Sequence, residues 1–319
     1  MTDTILYTVI TLTSVGVIAA TILYILTLYF KVYENPLIGE VDEVLPGANC
    51  AGCGSPGCRP FAEKLVNSDD ISDLFCPVGG NDVMAQVAKI LGKEVAEKDP
   101  EVAVLLCQGS CEVRPKTNFY DGPSSCSIES MIYGGDTGCQ YGCLGGGECV
   151  DACTFDAMYM DEKTGLPVVI DDKCTGCNAC VTACPRELLE LRPKQKRDLK
   201  VYVGCKNLEK GGVAKKSCNV ACIGCSKCID ACSKDAITVE DNLAYIDAAL
   251  CTLCRKCIPV CPTDSIIEEN FPKPVDKEKA RAKAKEKAKA KKEAEKKAKE
   301  AAKEKVAVAV AVKEEQKKE

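Results

Sequence analysis

Cysteine is the residue type that decides which chemistry this sequence can support. The 319 residues include 25 cysteines and no histidine. Several cysteines follow the spacing C-x2-C-x2-C-x3-C, in which three thiolates bind one iron-sulfur cube and the fourth reaches a neighbouring cube. The groups with this spacing are Cys174, Cys177, Cys180 and Cys184, then Cys222, Cys225, Cys228 and Cys232, and finally Cys251, Cys254, Cys257 and Cys261. The pattern predicts 4Fe-4S clusters, and a row of such clusters carries electrons.

Two other uses of cysteine fit the sequence less well. A secreted disulfide framework normally has an even number of cysteines without such tight spacing. Zinc sites commonly pair two C-x2-C motifs across a longer loop and often include histidine. The absence of histidine also removes the commonest side-chain acid or base near neutral pH, so we predict no catalytic residue in this chain.

Two further groups of cysteines have irregular spacing. The first is C-x2-C-x4-C-x17-C, with glycines around its leading cysteines, and consists of Cys50, Cys53, Cys58 and Cys76. We expect these four thiolates to bind a self-contained cube that an apolar helix near residues 61–66 covers on one side. Four buried structural thiols are the alternative. The second group is C-x3-C-x5-C-x3-C and consists of Cys139, Cys143, Cys149 and Cys153.

The cysteine groups after residue 138 alternate with predicted hairpins at 156–170 and 236–246. A cysteine group, a hairpin and a second cysteine group form the layout of a two-cluster ferredoxin, whose halves exchange their fourth ligands. In the first stretch, the expected ligand sets are Cys139, Cys143, Cys149 and Cys184, and Cys174, Cys177, Cys180 and Cys153. In the second stretch, they are Cys222, Cys225, Cys228 and Cys261, and Cys251, Cys254, Cys257 and Cys232. With the N-terminal group we expect about five clusters, and three at minimum.

The two stretches are also spaced as copies of each other. Their cysteines match in position, except that Gly146 stands where the second copy has Cys225. We therefore expect Cys139 to replace the missing ligand and its counterpart Cys218 to be spare. The cysteines left without a cluster are Cys107, Cys111, Cys126, Cys205 and Cys218. They are either buried small apolar residues, which we prefer, or members of a sixth centre.

A membrane anchor precedes all of these groups. Residues 5–30 are uncharged and mostly apolar, and as a helix they exceed the hydrocarbon thickness of a bilayer. The alternatives are a buried core helix or a cleaved signal peptide, but a signal peptide would begin with basic residues and none precedes Lys31. This charge distribution favours an outside N-terminus, with the cluster domains in the cytoplasm.

These observations predict an α+β protein with a single N-terminal transmembrane helix, a small 4Fe-4S module, two tandem bacterial-ferredoxin-like modules and a charged helical or disordered tail. The expected parts are a transmembrane anchor (1–31), a linker (32–47), an N-terminal 4Fe-4S domain (41–91), a connecting segment with a strand and extra cysteines (100–138), two ferredoxin-like modules (139–191 and 201–267) and a tail rich in Lys, Ala and Glu (273–319).

Three cysteine motifs carry a resemblance to a known family. They are C-A-G-C-G-S-P-G-C at 50–58, G-C-Q-Y-G-C-L-G-G-G-E-C at 138–149 and C-N-V-A-C-I-G-C-S-K-C at 218–228. Together with the leading membrane span, they make the sequence similar to the B subunit of the Rnf electron-transport complex, in the longer anaerobe-type form with two ferredoxin modules. The resemblance covers residues 1 to about 270 and does not include the tail.

The resemblance implies a subunit of an ion-translocating oxidoreductase complex in the bacterial cytoplasmic membrane. In that family, the subunit takes electrons from soluble ferredoxin and passes them to membrane partners, while the complex moves Na+ or H+ and reduces NAD+ at a flavin-bearing subunit. The expected partners are the other membrane and flavin-bearing subunits, soluble ferredoxin and membrane lipid, but no nucleic acid. This sequence has no G-x-G-x-x-G loop at a strand-helix junction, so NAD or flavin chemistry would belong to other subunits.

Two other functions stay open on the residues alone: a polyferredoxin relay of another membrane or soluble oxidoreductase, and a redox-sensing iron-sulfur protein. A ferredoxin docking site would need a local basic patch on an acidic body, although a solvated linker is the alternative for the same residues. The candidates are Arg186, Arg192, Lys194, Lys196, Arg197 and Lys200. The basic tail is a second hypothesis, because it could contact anionic lipid.

Overall fold

A computed structural model describes residues 2–30, 35–132 and 134–282. Its first element is helix α1 (Thr2–Tyr29), whose segment Leu6–Tyr29 has a mean hydropathy of 2.3 and no buried part. The hydroxyls of Thr11 and Thr13 donate to backbone carbonyls one turn earlier, so these polar groups need no partner outside the helix. Within the described ranges, α1 alone is long and apolar enough to cross a membrane.

A small helical module follows and contains α2 (Pro36–Val44), α3 (Cys58–Asn67) and α4 (Gly80–Leu91). Its core is formed by Val41, Phe61, Leu65, Met84 and Val87, each at most 1% exposed. Burying an apolar side chain of this size stabilises a fold by about 1.5–3 kcal/mol. The predicted helix near residues 61–66 is confirmed as part of α3.

The linker predicted at residues 32–47 is wrong for the part of it that the structure describes. Helix α2 occupies most of this segment and buries Ile38 and Val41 against the module core. Asn35 caps the helix by accepting a hydrogen bond from the Leu37 backbone N–H, and Pro36 begins it. Proline is suited to the first turn of a helix, and apolar residues three positions apart share one face. Two prolines in the sequence therefore mark the ends of an element here, rather than a loop.

Two ferredoxin-like modules share one arrangement of elements. The first contains β1 (Glu101–Leu105), α5 (Cys126–Ile132), α6 (Glu148–Asp151), β2 (Met158–Asp161), β3 (Leu166–Val169), α7 (Ala179–Ala183) and β4 (Leu189–Pro193). The second contains β5 (Lys200–Val203), α8 (Gly211–Ser217), α9 (Lys227–Ala231), β6 (Ile237–Glu240), β7 (Leu243–Ile246), α10 (Cys257–Val260) and β8 (Ile266–Glu269). In each module, the first strand pairs antiparallel with the last, and the two middle strands form a hairpin.

The hairpins predicted at 156–170 and 236–246 are confirmed as β2–β3 and β6–β7. The strand predicted in the connecting segment is also present as β1, but it pairs with β4 and so belongs to the sheet of the first module. The ferredoxin-like fold therefore begins before residue 139 and uses part of the connecting segment. Local spacing predicts a hairpin, whereas pairing of strands more than 80 residues apart depends on the folded module.

The two modules pack directly on each other. Val104 and Leu106 of the first contact Tyr202 of the second in one buried cluster. The Gln108 backbone N–H donates to the Gly204 carbonyl at 3.1 Å, which joins the chain segments that follow β1 and β5. The two modules thus meet at equivalent points of their folds.

The basic patch predicted for ferredoxin docking is not an exposed patch. Arg192 and Lys200 are only 3% and 6% exposed, because Arg192 pairs with Glu190 at 3.0 Å and Lys200 pairs with Asp171 at 2.6 Å. Arg186 is half-buried and donates to carbonyls of the Gly134 and Cys139 region. The charges of Arg192 and Lys200 are paired within the fold, and removal of one partner would leave the other charge buried and unpaired.

The other members of that predicted patch are too few to form a basic surface. Lys194 pairs with Asp198 at 3.7 Å, and Arg197 is exposed. The Lys196 side chain lies outside the described part of the chain. Of the tail predicted at 273–319, residues 283–319 also lie outside the described residues.

Candidate metal centres

The first candidate site lies in the helical module and brings together Cys50, Cys53, Cys58 and Cys76 in one cavity. Cys58 is the first residue of α3, and its backbone N–H donates to Asn49 Oδ1 at 2.8 Å. The Gly79 backbone N–H points at Cys76 Sγ at 3.3 Å. Backbone N–H groups aimed at sulfur are the outer contacts that orient cluster ligands and tune them.

The second ferredoxin-like module contains two four-cysteine sites, and both match the sets predicted by ligand exchange. One cavity is lined by Cys222, Cys225, Cys228 and Cys261. The other is lined by Cys232, Cys251, Cys254 and Cys257. The Ala244 backbone N–H lies 3.4 Å from Cys222 Sγ, and the Ser265 hydroxyl lies 3.2 Å from Cys261 Sγ. The structure thus brings these cysteines together across the module, as a two-cluster ferredoxin requires.

In the first ferredoxin-like module, the structure brings the predicted set Cys153, Cys174, Cys177 and Cys180 into one region, which also contains Cys149 of the other set. How these thiols are divided between two cubes stays a prediction. Burial raises the pKa of the Cys180 thiol to about 12, and the neighbouring cysteines add to this effect. A thiol with such a pKa is protonated and neutral at pH 7, so four thiolates can gather here only where a metal centre supplies the positive charge.

The irregular site differs from the predicted set. Its cavity is lined by Cys126, Cys143, Cys149 and Cys184. Cys139 does not line it, and its Sγ instead lies 3.6 Å from Asn207 Nδ2, at the boundary with the second module. The structure thus does not bring Cys139 to this cavity as predicted, and Cys126, predicted to be spare, lies there instead.

Gly146 shows why Cys126 fits this position. A Cβ atom at residue 146 would lie 2.9 Å from Cys126 Sγ, so the Cys126 thiol occupies the space that a side chain at residue 146 would fill. Gly146 is the position at which the second module has the ligand Cys225. Glu148 holds the start of α5 by accepting hydrogen bonds from the Ser125 and Ser127 hydroxyls. A thiol from a different segment thus lies where the second module has this ligand.

All four cavities that contain four cysteines have similar size. Each encloses about 310 to 410 Å3 when its solvent-open part is included. Within the described residues, no three His, Cys, Asp or Glu side chains converge closely enough for a single metal ion. A cube carries an iron for each thiolate and so accepts more widely spaced sulfurs than one zinc ion, whose bonds to sulfur are about 2.3 Å long. Donor chemistry and spacing therefore fit iron-sulfur cubes.

Comparisons with known proteins agree with this chemistry. Residues 45–77 match the family model FeS, which describes an Fe-S cluster, and residues 139–188 and 221–265 each match a 4Fe-4S dicluster domain. These matches contain the helical module's four cysteines and most cysteines of the two ferredoxin-like modules. The protein therefore carries 4Fe-4S clusters.

Three curated relatives cover most of the chain. The B subunit of a Na(+)-translocating ferredoxin:NAD(+) oxidoreductase complex from Acetobacterium woodii is 47% identical over 70% of this chain and 65% of its own length. Its counterpart in a proton-translocating ferredoxin:NAD(+) oxidoreductase complex from Clostridium ljungdahlii is 39% identical over 78% of this chain and 86% of its own length. The counterpart in an ion-translocating oxidoreductase complex from Methanosarcina acetivorans is 39% identical over 79% of this chain and 94% of its own length.

The relatives' names agree with both the apolar helix and the cysteine sites of this chain. Their names describe one subunit of a multi-subunit oxidoreductase complex. The exposed apolar helix α1 is consistent with membrane attachment of such a subunit. The chain therefore belongs to the family of B subunits of ion-translocating oxidoreductase complexes, the Rnf family, and is a membrane-anchored iron-sulfur electron-transfer subunit.

Proposed function

We propose that this chain takes electrons from reduced ferredoxin and passes them to other subunits of a Na+- or H+-translocating ferredoxin:NAD+ oxidoreductase complex. The observation that carries the proposal is the series of four-cysteine sites that follows a single apolar span. The names of the Acetobacterium and Clostridium relatives include ferredoxin and NAD+, which supports the same reaction here.

Five cubes are assigned to this chain, and each supplies one-electron transfer when bound. The ligands in the helical module are Cys50, Cys53, Cys58 and Cys76. In the first ferredoxin-like module, they are Cys126, Cys143, Cys149 and Cys184, and Cys153, Cys174, Cys177 and Cys180. In the second, they are Cys222, Cys225, Cys228 and Cys261, and Cys232, Cys251, Cys254 and Cys257. The neighbouring N–H and hydroxyl groups orient these sulfurs.

The chain's own contribution is to hold electron carriers in a fixed order, while the rest of the reaction occurs elsewhere. The one G-x-G-x-x-G match in the sequence, at 52–57, contains the cluster ligand Cys53 and follows no strand, so it is not a nucleotide loop and reduction of NAD+ needs a flavin-bearing partner. One apolar span cannot form a polar-lined ion path, so movement of Na+ or H+ needs other membrane subunits. The chain acts as a translocase only within such a complex.

The cluster modules are assigned to the cytoplasmic side of the membrane. Helix α1 contains no Lys or Arg, whereas Lys31 and many more basic residues follow it. Basic residues stay on the cytoplasmic side of a span, and thiolate-bound iron persists in a reducing compartment. Soluble ferredoxin would then meet the modules without crossing the membrane.

A test uses the full chain, purified without oxygen in detergent and mixed with reduced ferredoxin. We expect the chain to oxidise the ferredoxin after mixing, and the absorption of the chain's clusters to fall as they are reduced. Everted vesicles that carry this chain within its complex should couple NAD+ reduction to uptake of Na+ or H+. The matched control is Cys53→Ser, which lacks one ligand of the first site. A chain that carries iron but leaves reduced ferredoxin untouched would contradict the proposal.

A further inference from the structure

Four cysteines outside the five ligand sets meet where the two ferredoxin-like modules join. They are Cys107, Cys139, Cys205 and Cys218. Cys107, Cys139 and Cys218 are 6–8% exposed, and Cys205 is half-buried. Each module contributes one pair. Cys205 packs against Cys218, and Asn207 contacts both Cys205 Sγ and Cys139 Sγ. The hydrogen bond from Gln108 to Gly204 brings Cys107 to the same place, because these residues adjoin Cys107 and Cys205.

Cys107 and Cys205 occupy equivalent positions in the two modules. Cys107 lies two residues after β1, and Cys205 lies two residues after β5. The backbone N–H two residues further on points at the sulfur in both cases, from Gly109 to Cys107 Sγ and from Asn207 to Cys205 Sγ, each at 3.4 Å. Asn207 Nδ2 also lies 3.6 Å from Cys139 Sγ. Such N–H contacts are the ones that orient and tune thiolate ligands.

A buried cation without a counter-ion lies against this group. Arg114 is 6% exposed, its Nη1 donates to the Cys143 carbonyl, and its Nε has no hydrogen-bond partner. Among the described residues, no carboxylate forms an ion pair with it within 4.0 Å, although Arg114 does act on the buried Glu129. A buried charge that lacks an opposite charge costs several kcal/mol.

The position of Arg114 shows where its counter-charge should lie. A Cβ atom at Gly109 would be 3.3 Å from Arg114 Cδ and 3.5 Å from Cys107 Sγ. One at Gly142 would be 2.7 Å from Arg114 Nη1 and 3.5 Å from Cys139 Sγ. The arginine therefore lies between two of the four cysteines. Neutral thiols would leave it unpaired, whereas a cube with four thiolates carries net negative charge.

We propose that Cys107, Cys139, Cys205 and Cys218 bind a sixth 4Fe-4S cube between the two modules. This proposal rests on the electron-transfer function proposed above and adds a centre to it. The group lies beside ligands of both modules, because Arg114 contacts the Cys143 carbonyl and the Cys222 backbone N–H faces Cys205 Sγ. Six sets of four use every cysteine in the sequence except Cys111, which is exposed. The interpretation of these cysteines as buried apolar residues is thereby replaced.

Iron and acid-labile sulfide counts on the full anaerobic protein test the sixth cube. Six cubes contain about twenty-four irons and five contain about twenty. Cys205→Ser and Cys218→Ser should each lose about four irons and four sulfides, while the EPR signals of the other cubes persist. Cys111→Ser is the matched control and should lose none. About twenty irons in the wild-type protein, or about one zinc without extra sulfide, would overturn the sixth cube and leave the proposed function intact.

A second variant tests the role of the cation without removing a ligand. Arg114→Met should keep all the iron, but the EPR-active centre that Cys205→Ser removes should become harder to reduce, because a positive charge beside a cluster favours its reduced state. Arg114→Lys should restore the reduction potential in part. If neither substitution moves any potential, the buried arginine is not paired with a cluster and the proposal fails. A wild-type chain that carries about twenty-four irons but does not oxidise reduced ferredoxin would instead contradict the proposed function alone.

Discussion

At the residue scale, Cys126 offers a direct exchange experiment. Cys126→Ser should lose about four irons from the first ferredoxin-like module, because no other thiol lines that part of the cavity. Adding Gly146→Cys in the same chain should restore them in part, since the backbone of Gly146 is outside the left-handed region. The restoration is partial because the new Cβ would also lie 3.0 Å from the Cys126 backbone N, which has to shift slightly. The measurement is iron and sulfide per chain, with EPR.

Gly146→Cys in the otherwise unchanged chain is the matched control for that exchange. It places two thiols in the space of one, so we expect lower cluster occupancy rather than an extra cube. Full iron content in Cys126→Ser alone would contradict the assignment of Cys126.

The same residues show how far the sequence predicts the sites. Regular groups such as the one that begins at Cys222 are local in sequence, so their spacing alone predicts which sulfurs converge. Cys126 precedes Gly146 by a loop and a helix, and no spacing rule connects them before the chain folds. Cys139 is nearer in sequence and was predicted for this site, but folding places it against Asn207 of the second module. Comparing the sequences of the two modules reveals which ligand position lacks a cysteine, but not which other cysteine lies there in the folded module.

At the scale of elements, Arg192 ties strands of both modules together. It extends from β4, pairs with Glu190, and stacks on the rings of Tyr202 and Tyr245 with its guanidinium 5.6 and 5.3 Å from their centres. Arg192→Ala should destabilise the holoprotein by about 2 kcal/mol, from the lost charged hydrogen bond and cation–π contacts. The denaturant midpoint of cluster bleaching measures this. Arg197→Ala, at an exposed position, is the control, and an equal midpoint in both variants would contradict the prediction.

The predicted docking patch failed at this scale for a physical reason. A run of basic residues normally indicates a solvated surface, but here Arg192 and Lys200 lie on strands and face aromatic or acidic residues of the other module. Lys200 lies at the start of β5 and pairs with Asp171. Sequence reveals the charge of a residue, whereas its partner depends on the packing of the two modules.

A close contact joins the helical module to the first ferredoxin-like module. A Cβ atom at Gly52 would lie 2.6 Å from the Cys177 carbonyl oxygen, so only glycine allows this approach between neighbouring sites. Gly52→Val should push the two modules apart and weaken the magnetic coupling between their reduced centres in EPR, with the iron content unchanged. Gly39→Ala lies in α2 with open space around it and should change nothing. Unchanged coupling in Gly52→Val would show that the modules do not depend on this contact.

At the scale of the whole molecule, removal of iron should destabilise the ferredoxin-like modules more than the helical module. The core of the second ferredoxin-like module includes the buried ligands Cys222, Cys228, Cys257 and Cys261, so without metal it loses the centre of its packing. The helical module has an apolar core of its own around Phe61, and Cys76 is its one buried cysteine among the residues described.

Hydrogen exchange of the chelated, iron-free protein measures this difference by region. Amides of β5 to β8 should exchange roughly a hundredfold faster or more than in the iron-loaded chain, because the bound clusters supply much of the folding free energy of a small module. Amides of α3 and α4 should keep a larger share of their protection. The iron-loaded protein in the same buffer is the reference. If β5 to β8 stay as protected as α4 after iron removal, side-chain packing alone stabilises the ferredoxin-like modules, and their cysteines are not what holds them folded.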